Sequence, residues 1–158
     1  MILYYSMKRF IPILLVCLTL GCTNKKSTHS SAAQTDSLLC ELHERDQQIR
    51  HELMRVQRAF SAEQRAELVD SIVMLVEEEE RTDSLNRVVV DSLLQNGWPE
   101  GLSEQSNQTI WLIIDHGDVE YQERYLPLIE QQAMRGIISL ADYATLSDRV
   151  NVRRQRPQ

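Results

Sequence analysis

Apolar residues three and four apart recur along most of this chain, and no stretch sustains the apolar–polar alternation of a half-buried strand, so the pattern predicts an all-α protein. Start and stop signals divide it into about five helices: a long N-terminal helical hairpin, then a smaller helical cluster. Asp36 or Ser37 can cap a first helix reaching about Arg58, and Ser61 with Gln64 forms a capping box for a second reaching Asn96. Gly97 can take a left-handed C-cap conformation, Trp98 offers an aromatic for packing, and Pro99 prevents the helix from resuming. A third helix is expected over about Ser106 to Asp115. A fourth runs from Val119 to Arg135, kinked by Pro127 or with its first turns split off there, and is ended by Gly136. Ser139 and Asp142 cap a last helix through about Val152.

The apolar stripes of the first two helices should face each other and the core. In the first, the three-four spacing selects Leu39, Leu42, Asp46, Ile49, Leu53, Val56 and Phe60, apolar throughout except at Asp46. In the second it selects Val69, Ile72, Val76, Glu79, Asp83, Asn86, Val90 and Leu93, so three polar residues in succession interrupt the stripe. Folding the pair as a hairpin about residue 60 brings Asp46 near the Val76–Glu79 turn and within about a turn of Asp83. A carboxylate in a core stripe costs several kcal/mol unless it is paired. Arg50, one turn after Asp46, is the nearest cation. The pattern fits a buried ion-pair network that fixes helix register, and equally the floor of a polar pocket.

Other chemistry is sparse. His116 closes the apolar run Ile110-Trp111-Leu112-Ile113-Ile114, with Asp115 and Asp118 beside it and Gln122 one turn on. Glu77 to Glu80 reads as a solvated face with Glu79 excepted, and Asp148 with Arg149 as a surface pair. No paired histidines at metal-binding helix spacing, no Cys-x-x-Cys, no glycine-rich phosphate loop and no Gly-x-Ser-x-Gly elbow occur, so no metal or cofactor is expected from motifs.

The N-terminus is set aside from the fold. Met7 reads as the start, Lys8 and Arg9 as a basic n-region, and Phe10 to Leu20 as an apolar signal segment of eleven residues, short of the roughly 20 that span a bilayer. It closes on Thr19-Leu20-Gly21-Cys22, which resembles the lipobox of bacterial lipoproteins, although that motif usually has an aliphatic residue where Thr19 stands and a small one where Leu20 stands. The resemblance implies cleavage after residue 21, lipid on Cys22 and a membrane partner held through it. Thr23 to Thr35 has no large apolar residue and reads as a flexible tether, leaving residues 36–158 as the domain. Thr23 in place of aspartate after the lipid site points to the outer membrane, and the lack of a following acidic cluster favours a periplasm-facing anchor over surface display.

Losing Lys8 and Arg9 leaves 15 Lys and Arg against 23 Asp and Glu, a net charge of −8, which argues against nucleic acid as a partner. Of the three cysteines only Cys40 stays free for chemistry, so no internal disulfide is expected.

The series Asp46-Gln47 with Arg50, Asp83-x-x-Asn86, Gly97-Trp98-Pro99, Trp111-Leu112-Ile113-Ile114-x-His116-x-Asp118, Gln122, Leu126-Pro127-Leu128 and Tyr143-x-x-Leu146-x-Asp148-Arg149 resembles a widespread bacterial domain of unknown function, the family numbered 6624. The resemblance covers about Ser37 to the C-terminus. It implies an all-helical, often exported domain without an established activity, and it puts Asp46, Asp83, Asn86 and His116 on motif positions. Asp115 departs from it, standing where glutamine is more usual. Family members also continue beyond the Pro157-Gln158 equivalent into a Tyr-Gly-Thr-Gln-like tail, so a site lined by that tail would be incomplete here.

These observations carry a first expectation of a binding module. Its pocket of Asp46, Arg50, Asp83, Asn86, His116 and Arg149, with Asp118, Gln122 and Asp148 alongside, would hold a small polar ligand or a peptide end. A second is an envelope hydrolase with His116 as acid or base and Asp46 or Asp83 polarising water or holding a metal. A third is an envelope interaction protein without a ligand.

Overall fold

The computed structural model describes residues 25–58 and 65–154. They form five α-helices and, among the described residues, no strand: α1 (Lys25–Arg58), α2 (Arg65–Leu94), α3 (Glu104–Asp115), α4 (Val119–Met134) and α5 (Leu140–Arg154). Cys22, the expected signal segment before it, Phe60 and the expected Ser61–Gln64 capping box lie outside the described residues.

The hairpin of α1 and α2 is the longest feature; α3 packs against both of its arms, α4 packs on α3, and α5 on α4. Nearly every side of α3 is therefore covered. Ile110, Ile113 and Ile114 are at most 2% exposed, and they meet Leu39 and Leu42 of α1, Val90 and Leu94 of α2, Tyr121 and Ile129 of α4 and Leu146 of α5 in one apolar cluster. Burying an aliphatic side chain of this size contributes about 1.5–3 kcal/mol, so this cluster is where most of the fold's stabilisation arises.

α1 starts eleven residues ahead of Asp36, so Lys25 to Thr35, expected as a tether, is helical. Asp36 does not cap its own helix; its carboxylate accepts from the backbone N–H of Ser103 at 3.0 Å and from the Ser103 hydroxyl at 3.1 Å, at the start of α3. Ser103 in turn is the N-cap of α3, accepting from the Ser106 N–H, so that helix begins two residues before the expected Ser106. The residues before Asp36 belong to the same helix, in which the Thr35 hydroxyl donates to the Ser31 carbonyl at 3.0 Å.

The stripe expected on α1 is buried at Leu39, Leu42, Asp46, Leu53 and Val56, with Ile49 half-buried. Of the stripe expected on α2 only Asn86 and Val90 are buried; Ile72, Val76, Glu79, Asp83 and Leu93 are half-buried and Val69 is 44% exposed, while Thr82 and Leu94, off that stripe, are buried. Val90 and Leu94, near the C-terminal end of α2, are the residues that join the core with the smaller cluster.

α2 stops at Leu94, two residues before the expected Asn96. Gly97 takes φ +94° and donates its N–H to the Leu94 carbonyl at 3.0 Å. Trp98 is buried and its indole N–H donates to Asn107 at 2.7 Å, pinning the loop to α3. Pro127 neither splits nor ends α4, which runs unbroken from Val119 to Met134. Pro127 lies on the exposed face, where water can satisfy the carbonyl its missing N–H leaves free. At α5, Ser139 and Asp142 cap reciprocally: the Asp142 N–H donates to the Ser139 hydroxyl at 3.0 Å, and that hydroxyl donates to the Asp142 carboxylate at 2.7 Å.

Candidate functional site

The interruptions of the two stripes meet. Asp46 and Arg50 of α1, Glu79 and Asp83 of α2, and His116 at the C-terminal end of α3 form one polar cluster where the hairpin meets the smaller bundle. His116 reaches it because α3 ends there: its N–H still bonds the Leu112 carbonyl at 3.0 Å, and the chain then turns through Gly117 into α4. No other residue fits at Gly117 without movement, since a Cβ there would lie 2.6 Å from the Tyr121 ring.

Asp46 is the floor. It is 1% exposed, yet its carboxylate lies 3.0 Å from Nδ1 of His116, accepts from the Gln47 amide at 2.8 Å, and is 3.4 Å from Nε of Arg50. The rim is more open, with side-chain exposures of 17% for His116, 17% for Asp83, 20% for Glu79 and 22% for Arg50. Arg50 donates to Asp83 at 2.7 Å and also to Glu79, so a single guanidinium faces three carboxylates. Burial by itself would raise the Asp46 carboxyl pKa, but the hydrogen bond and charge of His116, the charge of Arg50 and the Gln47 bond outweigh it and hold the group below the usual carboxylate range. Arg50 follows the same logic in reverse: burial would lower its pKa, and Asp46 and Asp83 raise it instead.

Asn86, one turn along α2 from Asp83, is fully buried. Its side-chain oxygen accepts from Arg45, while its Nδ2 is buried without a hydrogen-bond partner. One potential ligand atom from each of Asp46, Asp83 and His116 lies within 4.8 Å of the other two, so these three are the residues that could hold a metal ion.

The other residues singled out in the sequence make their bonds elsewhere. Asp118 is the N-cap of α4, accepting from the Tyr121 N–H at 2.8 Å, and is 3.3 Å from Arg87. Arg149 is not paired with Asp148; it reaches from α5 to Asp115, which is 4% exposed. Gln122 is fully buried, donating to the Asp115 carbonyl at 2.5 Å and accepting from Arg153 at 3.3 Å. Asp115, Gln122, Arg149 and Arg153 tie α3, α4 and α5 together in a second polar group. Burial raises the Asp115 carboxyl pKa against the opposing charges of Arg149, His116 and Arg153, and its Oδ1 is buried without a partner. Asp148 is exposed on α5. Gly97, Trp98 and Pro99 end α2 and position the loop, a structural task.

Sequence reasoning left three contributors out of the site. Glu79 was visible as a break in the stripe, and Gln47 stands beside Asp46 in sequence. Arg45 gave no signal of its own, since its partner Asn86 lies 41 residues away.

No protein-family model, curated protein or solved structure matches this chain.

Proposed function

We propose that the chain is a lipid-anchored protein of the bacterial cell envelope, of the family of unknown function numbered 6624, whose helical domain is a binding module with its ligand site at the Asp46–Arg50–Asp83–His116 cluster. The observation that carries the reading is the charge imbalance there. Three carboxylates gather around one guanidinium, although like charges held together in a partly buried site destabilise the fold. A network kept only for helix register would need no such surplus. The surplus sits on the rim, where Glu79 and Asp83 share one guanidinium, and like charge held there at a cost to stability is what a site kept for a ligand shows. The anchor rests on Lys8-Arg9, the apolar run and Cys22, and Thr23 with the lack of a following acidic cluster would place the domain on the outer membrane facing the periplasm. Among the described residues no helix is long and apolar enough to cross a membrane.

The test is thermal unfolding of the full chain in detergent near neutral pH, as wild type and as Asp83→Leu. Asp83 is the rim carboxylate whose loss leaves Arg50 still paired with Asp46 and Glu79. A higher midpoint in the variant supports a ligand site. A loss of several degrees means that the cluster is scaffold, and the proposal fails.

A second reading is favoured by the 3.0 Å contact between Asp46 and His116, which is how a carboxylate orients an imidazole for proton transfer. The chain would then be an envelope hydrolase with His116 as acid or base and Asp83 polarising water. Under that reading, loss of His116 abolishes turnover of an envelope ester or amide while leaving ligand affinity within a few-fold.

A further inference from the structure

From the same cluster we infer that the ligand is a divalent transition-metal cation such as Zn²⁺, held by Asp46, Asp83 and His116; this rests on the binding-module reading and names its ligand class. The sign of the charge matches: three carboxylates, Asp46, Glu79 and Asp83, face the single guanidinium of Arg50, a surplus that favours an added cation. The donor set matches too: two carboxylates and one imidazole, one from each of three different helices, with donor atoms within 4.8 Å of one another. Borderline metals take this mixture of oxygen and nitrogen, whereas Ca²⁺ and Mg²⁺ favour oxygen throughout. Three protein groups leave at least one position open for water or a further ligand.

Two neighbours fit the same picture. Arg50 now bonds both Asp46 and Asp83, and its bond to Glu79 gives it a partner to keep when a metal takes the other two, so it acts as a competing cation that holds the site closed until the metal arrives. Asn86 adds a fully buried Nδ2 donor with no acceptor, one turn from Asp83 on the same face of α2. A metal-bound water or hydroxide supplies an acceptor of the kind this donor lacks.

The experiment is calorimetric titration of Zn²⁺ into the full chain in detergent, stripped with chelator beforehand, for wild type, His116→Gln, Asp83→Asn and Arg50→Gln, with far-ultraviolet circular dichroism confirming the helix content of each. The wild type is expected to bind one equivalent, and the first two variants at least about tenfold more weakly. Arg50→Gln, which deletes a competitor and no ligand, is expected to bind about tenfold more tightly. That gain cannot come from unfolding, so it tests the site even where a ligand variant fails to fold. Binding that is unchanged across the three variants puts the zinc elsewhere and overturns the inference. No binding by the wild type also overturns it. If Asp83→Leu nevertheless raises the unfolding midpoint, the binding module stands with a different ligand; if that variant lowers it, both readings fall.

Discussion

Asp46→Asn separates charge from shape at the floor of the site. Asp46 is 1% exposed, and its carboxylate meets Nδ1 of His116 at 3.0 Å, accepts from Gln47 at 2.8 Å and faces Arg50 at 3.4 Å. Asparagine offers one neutral oxygen with two lone pairs and an NH2 in place of the second oxygen, so at most two of Gln47, His116 and Arg50 keep an acceptor, and none keeps an ionised one. A hydrogen bond to an ionised group contributes about 1.5–3 kcal/mol against about 0.5–1.5 for a neutral one, so converting or losing two such bonds costs about 2–3 kcal/mol. Relief of the carboxylate's desolvation returns part of that, and Arg50 keeps Glu79 and Asp83, so it is not stranded. The net is a loss of about 2 kcal/mol, or a fall of about 8 °C in Tm for a domain of this length. The assay is thermal unfolding by circular dichroism, with chelator present so that the metal-free protein is compared. The sign with pH follows from the lowered pKa of Asp46: its stabilisation is present above the ordinary value of 3.8 and is lost as pH falls through the lower folded value. The gap between wild type and variant should hold from neutrality down to about pH 4 and narrow below it. A gap under about 2 °C at pH 7, or one that widens on acidification, refutes the reasoning.

Three further outcomes follow. Gly117→Ala pushes a Cβ to within 2.6 Å of the buried Tyr121 ring, and a forced shift of that kind costs about 1–3 kcal/mol, read as a lowered denaturation midpoint with the slope unchanged. The Tyr125 phenol is pushed up to about 12 by burial and by its 2.6 Å hydrogen bond to Asp91. Its raised pKa means that its contribution is full below the ordinary value of 10 and is lost as pH rises through about 12, so the difference in phenolate absorbance between wild type and Tyr125→Phe should rise near pH 12, and Asp91→Asn should move that rise down toward 10. Cys22→Ser should abolish acyl labelling and release the protein from the membrane fraction, and retention of the label would remove Cys22 as the anchor.

The existence and order of the five helices were legible in the sequence because each is marked locally: Gly97 and Pro99 forbid continuation, Ser139 and Asp142 cap, and the apolar stripe repeats within a few turns. The hub of the site was legible for the same reason, since Asp46, Asp83 and Asn86 break a repeat that is otherwise apolar. Pairings that depend on sequence-distant partners were not. Asp36 looked like a cap of its own helix and serves the N-terminus of α3 instead, 67 residues on, while α1 extends back to Lys25. Asp118 and Arg149 looked like pocket residues, and the fold spends one on the α4 N-terminus and the other on Asp115. Periodicity fixes which face of a helix turns inward, because that follows from backbone geometry within a turn. Which charged group on that face finds which partner depends on how the α1–α2 hairpin docks on α3, and that is decided by the packing of Leu39, Val90, Ile110 and Ile114, whose contacts no local pattern encodes.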